Sequence, residues 1–293
     1  MKTRIMIREG QYRLNKAGCM DPKIDAEELY CYLTGTDKVE LFLKNEEEVD
    51  PEVERKYAKL IERRASRVPL QHITGEQEFM GYTFAVDPDV LIPRQDTETL
   101  VENAAKVIRN NQREKRPLLE RLRGRKEWGL LDLCCGSGIV GISIAKICGN
   151  VDLTGCDISE KAVALAKKNA QSLHVSGEFL QGDLFAPVVG NQFDMIVANP
   201  PYIRTNMIAM LQEEIKDHEP REALDGGRDG LTYYRKIIQS VNKYLTKDGF
   251  LLMEIGYDQG DDVRKMVEDS RVFKDVEVLK DLPGRDRVVL CSR

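Results

Sequence analysis

The chain is expected to be an α/β protein in two parts: a small helical domain over 1–70 and a larger domain of alternating strands and helices over 93–293, joined by a β-hairpin over 71–92. Three observations predict this. Apolar residues recur at three- and four-residue spacing through the first part, as in Leu29, Tyr32 and Leu33, then Tyr57, Leu60 and Ile61, which is the pattern of amphipathic helices packed as a bundle. From Gly129 onward, short apolar runs are separated by helical stretches, the period of successive βα units. A glycine-rich turn follows the first of those runs and an acid ends the second, as in a Rossmann-like nucleotide site. The 293 residues also exceed the usual size of one domain.

Composition narrows the function classes. Hydrophobic residues at 42% are enough for a core, and charged residues at 32% for a solvated surface. A net charge of −5 argues against a dedicated duplex-binding face. No apolar run approaches the roughly 18–20 residues of a membrane span. The segment Met1–Arg8 has charge but no hydrophobic region, so no signal peptide is expected. Seven cysteines, scattered without paired zinc-type spacing, read as free thiols of a reducing cytoplasm, with no metal site.

In chain order, helices are expected over 4–18, 25–34 and 37–44, and Pro51 suits the first turn of a helix running to about Arg67. Nothing there looks catalytic, and a cap or partner-binding role follows. Pro69 to Gly75 leads into Glu78–Val86, with Gly81 near the middle, as the linking hairpin. Asp96 or Thr97 can cap a helix over about 98–110, with Glu98 in its first turn. Capping leaves Arg94 unexplained and makes it a candidate for the ligand cleft. The stretch 109–128 is strongly basic; a solvated helix and loop is its ordinary meaning, an RNA- or ribosome-facing patch the rarer one.

Strands are expected over 130–133, 151–156, 178–181, 194–198 and 249–256, then an antiparallel pair over 276–282 and 287–291, seven in all. Helices are expected at 139–148, 159–172 and near 230–245. Cys134, Cys135, Gly136, Ser137 and Gly138 form the turn after the first strand. Glycines there let a ligand approach the backbone, and the helix N-terminus offers free N–H groups. Asp157, at the end of the second strand and 19 residues past Gly138, can accept both ribose hydroxyls of an adenosine. It can equally cap the next helix. Asp183 can accept from an adenine amino group while Leu184 packs on the ring, or it is simply a turn acid.

The stretch Phe193–Tyr202 carries the most specific chemistry. Met195–Ala198 is a buried strand that Pro200 and Pro201 terminate, placing Asn199 at the carboxyl end where such sheets bind ligands. A planar NH2 group is a poor nucleophile because its lone pair is delocalised. The Asn199 side-chain oxygen and the Pro200 carbonyl could accept both of its N–H bonds and aim the nitrogen at an electrophile, with Tyr202 stacked on its plane. A proline-terminated strand with a surface tyrosine fits these four residues equally well.

Glycine turn, ribose acid, adenine acid and Asn-Pro-Pro-Tyr occur in order on successive strands, and in this the chain resembles the class I S-adenosylmethionine-dependent methyltransferases that act on amino nitrogens. Within them it resembles the peptide chain release factor N5-glutamine methyltransferases, from about residue 25 to the end. Pro69–Gly75, Leu91–Arg94, His218–Gly227, Glu254–Gly256 and Leu282–Val289 carry that closer likeness. The resemblance implies a seven-stranded methyltransferase domain and S-adenosylmethionine as cofactor, leaving S-adenosylhomocysteine. It implies a class I release factor as protein substrate, methylated on the glutamine of its Gly-Gly-Gln loop, and a cytoplasmic monomer that binds neither membrane nor nucleic acid. By position, Asn199, Pro200, Pro201 and Tyr202 match the substrate clamp, with Asn199, Pro200 and Tyr202 in the catalytic role and Arg94 added as a substrate contact. Residues 134–138, Asp157, Asp183, Leu184 and Asn199 match the cofactor contacts. The chain departs from the family in having Cys134 where Gly is usual, at Gln95 or Asp96, where the family commonly has an acid, and in a longer basic connection over 109–128. Adenine-N6 methylation of DNA or RNA, or an idle cofactor-binding scaffold, are the alternatives.

Overall fold

The computed structural model describes residues 1–114 and 128–293, so most of the basic stretch 109–128 lies outside the described residues. Two compact units emerge: residues 1–76 with 211–218, and residues 77–210 with 219–293.

The first unit is helical: α1 Thr3–Lys16, α2 Pro22–Thr34, α3 Lys38–Leu43, α4 Pro51–Ala65 and α5 Leu70–Thr74. Local chemistry sets the ends. Pro22 and Pro51 begin α2 and α4, where a missing N–H costs nothing. Asp37 and Glu40 form a reciprocal capping box on α3. Met6, Leu14, Leu29, Tyr57 and Ile61 fill the core. A buried charge cluster joins it: Arg64 donates to Asp25 at 2.8 Å and to Glu214 at 3.1 Å, the latter from the segment 211–218. The stretch expected to begin the hairpin instead opens with the helical turn α5, which Gly75 ends at φ 79°. The hairpin proper is β1 Glu76–Phe79 and β2 Tyr82–Ala85.

The second unit is built on a seven-stranded sheet. After α6 Glu98–Glu114, the chain forms β3 Trp128–Leu133, α7 Ile139–Cys148, β4 Val151–Asp157, α8 Glu160–Ser172, β5 Gly177–Gln181 and β6 Phe193–Ala198. There follow α9 Thr232–Val241, β7 Leu245–Glu254, α10 Gly260–Ser270, β8 Asp275–Lys280 and β9 Asp286–Ser292. The order is β5-β4-β3-β6-β7-β9-β8; the first five strands run parallel and β9 is antiparallel to both neighbours. Both faces are covered, which explains the near-continuous apolar strands. Leu130, Met195, Val197 and Leu252 face the layer of α6, α7 and α8. Leu131, Leu133, Ile196, Ala198, Leu251 and Met253 face that of α9 and α10. That is the two-residue alternation of a pleated strand.

Strand β7 starts four residues earlier than expected, at Leu245, because Phe193 pairs with Leu245 before a bulge lets Met195 pair with Phe250. The expected cap on α6 is also absent in that form. A 3-10 turn, Gln95–Thr97, precedes the helix, and the three side chains are used elsewhere. Asp96 pairs with Arg287 at 3.0 Å, Thr97 accepts from Asn199, and Glu98 accepts the Met80 N–H at 3.0 Å.

Candidate active site

The order of connection reverses between the parallel neighbours β3 and β6, the position where open α/β sheets bind ligands. Register makes the site. Leu133 pairs with Ala198 on one side and Cys156 on the other, so Cys134, Asp157 and Asn199 emerge side by side at the carboxyl ends. They border a cavity of about 400 Å³.

Cys134, Cys135, Gly136 and Ser137 all line it. The turn is held by Cys135 N–H to Cys156 O at 3.0 Å. Cys134 and Gly136 have φ of 57° and 54°, the left-handed region, and a Cβ on Gly136 would meet only Val90, at 3.9 Å. Gly138 does not line the cavity. Its φ is 80°, and a Cβ there would lie 2.8 Å from Ile142 and 3.1 Å from Ala166. Its role is to let α7 pack close to α8.

Asp157 is fixed by its own backbone neighbours: Oδ2 accepts from Gly136 N–H at 2.8 Å and Oδ1 from Ser159 N–H at 2.9 Å. Burial raises its pKa while these bonds pull the other way. Each oxygen retains a lone pair for a ligand diol. Asp183 and Leu184 also line the cavity, with Lys236 Nζ 3.7 Å from the Asp183 carboxylate. Acids thus outnumber bases around the cavity: Asp89, Asp157, Asp183 and Glu222 against Arg94, a field that favours a cationic ligand. The spare ribose acceptors, the open backbone at Gly136 and this field fit S-adenosylmethionine.

Asn199 and Pro201 line the cavity, and Pro200 and Tyr202 do not. Asn199 Nδ2 donates to Thr97 Oγ1 at 3.3 Å. Tyr202 turns its hydroxyl to Glu254 Oε1 at 3.3 Å, and its carbonyl accepts from Gln259 Nε2 at 3.0 Å. Burial and the Glu254 carboxylate hold the Tyr202 phenol well above its ordinary pKa, so it stays neutral. The segment after Tyr202 is tied down too: Ile203 N–H donates to Leu224 O at 3.0 Å and Gly226 N–H to Ile203 O at 2.8 Å. Arg94 does line the cavity, fixed by Glu219, whose Oε1 accepts from its Nη2 at 2.5 Å. Glu219 is buried, and burial raises its pKa against the pull of Arg94.

Four residues here escaped sequence reasoning as site residues: Thr97 and Tyr233, which line the cavity, and Glu219 and Glu254, which hold Arg94 and Tyr202. Glu254 had a signal, an acid at the end of the apolar run Leu251-Leu252-Met253. Thr97 had a competing explanation as a cap. Among the described residues no cluster of metal-ligating side chains occurs, and no helix is long and apolar enough to cross a membrane.

Comparison with known proteins finds relatives along nearly the whole chain. The model of the methyltransferase small domain matches residues 114–228, and that of the PrmC N-terminal domain residues 6–75. The chain is 40% identical over 270 residues to the release factor glutamine methyltransferase of Thermodesulfovibrio yellowstonii, covering 92% of each. It is 37% identical to that of Moorella thermoacetica, over 100% of this chain and 99% of the relative. Among solved structures, the hMettl16 catalytic domain in complex with MAT2A 3'UTR hairpin 6 aligns at a TM-score of 0.53 and 14% identity, over 79% of this chain and 80% of that one. This last likeness is one of fold.

Proposed function

From the chain's membership of the release factor glutamine methyltransferases, to which it belongs by its near full-length identity with them, we propose that Asn199 and Pro200 present the substrate glutamine amide to the cavity that Asp157 closes. The protein is an S-adenosylmethionine-dependent methyltransferase acting on release factor glutamine. Adenine-N6 methylation is not favoured. The glutamine is read as that of the Gly-Gly-Gln loop of class I factors, methylated on its side-chain nitrogen. The helical unit is assigned to holding the protein substrate, and the enzyme is read as a cytoplasmic monomer that binds no nucleic acid.

S-adenosylmethionine, when bound, supplies an electrophilic methyl on a cationic sulfur. The chain's residues supply position and field. Asp157 and the 134–137 turn would hold the adenosine end, and Asp183 and Leu184 would lie beside the base. The acids around the cavity favour the cation. The Asn199 side-chain oxygen and the Pro200 carbonyl would accept the two amide hydrogens and so turn the nitrogen lone pair toward the cavity. The amide nitrogen becomes acidic as its new N–C bond forms, and its proton leaves to solvent. Tyr202 serves here through Glu254 rather than as a stacking face, since its ring does not border the cavity.

One observation carries the reading: Asn199 leaves β6 directly beside Cys134, so clamp and cofactor turn share one cavity. Asn199→Ala is expected to lower turnover on intact release factor by at least about 100-fold while leaving cofactor affinity near wild type. Transfer of labelled methyl groups, with isothermal titration for the cofactor, measures both. Undiminished turnover in that variant refutes the clamp. Equal labelling of a release factor whose Gly-Gly-Gln glutamine is replaced by alanine refutes the substrate assignment.

A further inference from the structure

One wall of the cavity runs from the ribose acid to the clamp. Asp89 pairs with Lys161 of α8, the helix that follows Asp157, and Val90 packs on Ala162 and Leu165 of the same helix. At the other end of this segment, Thr97 Oγ1 lies 3.3 Å from Asn199 Nδ2. Arg94 stands near that clamp end, its carbonyl accepting the Thr97 N–H at 3.1 Å. Among the described residues lining the cavity, Arg94 is the only cationic side chain, set against Asp89, Asp157, Asp183 and Glu222. Its Nη2 donates to Glu219 Oε1 at 2.5 Å, and the two side chains are 38% and 1% exposed. Pro220, next to Glu219, also lines the cavity, so the pair sets the guanidinium against the cavity wall. An arginine has five N–H donors; no acceptor besides Glu219 meets this one among the described residues.

We propose that Arg94 binds the carboxylate at the methionine end of S-adenosylmethionine, with Glu219 as the residue that positions it. The cofactor carries two cations, the sulfonium and the ammonium, and one anion. The acids around the cavity suit the cations, and an arginine with no anion to meet would oppose them. A carboxylate reverses that sign, and its two oxygens match the planar guanidinium fork. Position agrees with charge. With the ribose at Asp157 and the methyl directed at Asn199, the amino-acid end leads away from the adenosine, on the side of the cavity where Arg94 stands. Glu219 holds the long arginine side chain in place before the cofactor arrives, so less rotamer freedom is lost on binding.

This inference rests on the cofactor lying with its ribose at Asp157, and a pair of ligands separates the two. Decarboxylated S-adenosylmethionine lacks only the carboxylate. By isothermal titration on the full-length enzyme, wild type is expected to bind S-adenosylmethionine at least about tenfold more tightly than the decarboxylated form. Arg94→Gln, whose amide can still donate to Glu219, is expected to abolish that preference by weakening S-adenosylmethionine alone, on the order of 10–100-fold. Arg94→Lys keeps the charge without the fork and should retain part of the preference. Glu219→Ala should reduce it without abolishing it, as befits a residue acting through Arg94. Asp157→Asn should weaken both ligands alike, since they share the ribose. A wild type without preference overturns the carboxylate assignment, as does Arg94→Gln weakening both ligands equally. Unchanged cofactor binding in Arg94→Gln beside a raised KM for release factor overturns it too, since that is the result of a substrate contact. Wild-type binding of both ligands by Asp157→Asn overturns the placement of the cofactor, and the inference with it.

Discussion

Cys134 holds a left-handed backbone, φ 57°, that costs an ordinary residue about 1–2 kcal/mol. The resemblance singled out this position as one where glycine is expected, and the conformation explains why glycine would suit it. The turn keeps its shape with cysteine and accepts the strain. Replacing Cys134 by Gly and by Ala removes the sulfur in both variants and isolates the backbone term. The glycine variant is expected to be the more stable by about 1 kcal/mol, or about 2–4 °C in melting temperature by calorimetry. Equal midpoints would show that the turn is not strained. Arg94 is the residue that sequence reasoning placed in the cleft for want of another explanation. It does line the cavity. What sequence did not show is that Glu219, 125 residues away, fixes it there.

At the scale of elements, strands and helices of the second unit were legible because both of their periods are short-range. The two-residue alternation of β3 and β6 and the glycine turn before α7 are written in consecutive residues. The segment between β6 and α9 was not, since its order comes from contacts with the clamp. Gly226 shows this. A Cβ there would lie 2.7 Å from Tyr202 Cα, 2.8 Å from Pro201 O and 2.9 Å from Gly230 O, all backbone atoms that cannot rotate away. Gly226→Ala is therefore expected to displace the clamp loop. We expect kcat to fall at least about tenfold, with stability reduced by about 1–3 kcal/mol as in overpacked cores. A variant with wild-type kinetics would mean that the loop can give way without moving Asn199. The turn before α6 teaches the converse lesson. Asp96, Thr97 and Glu98 have capping chemistry, yet partners on β9, beyond β6 and before β2 claim their side chains.

For the molecule as a whole, two buried acids make stability depend on pH. Burial pushes Asp132 up to about 7, more than the Gly141 N–H at 2.8 Å lowers it, and Glu254 likewise up to about 7. A carboxyl raised above its unfolded value contributes stability that is complete below about pH 4 and is lost as pH rises through about 7. Asp132→Asn keeps an acceptor for Gly141 without the ionisation. The stability of wild type relative to this variant should fall by up to about 1.4 kcal/mol per pH unit between about pH 4 and about pH 7 and level off above that. Denaturant midpoints at about pH 5 and about pH 7 test it, and a pH-independent difference would show that Asp132 does not titrate in that range. The sequence by itself determined the fold class and singled out the 134–138 turn, Asp157 and Asn199–Tyr202 as candidates at the strands' carboxyl ends, because periodicity, glycine turns and proline stops act between neighbours in the chain. Tertiary structure alone decided that Leu133 and Ala198 share a register, that Gly138 spaces helices rather than touching the cavity, that Tyr202 faces Glu254, and that Thr97 meets Asn199. Those are contacts between distant segments, and only packing of the assembled sheet brings them within hydrogen-bond range.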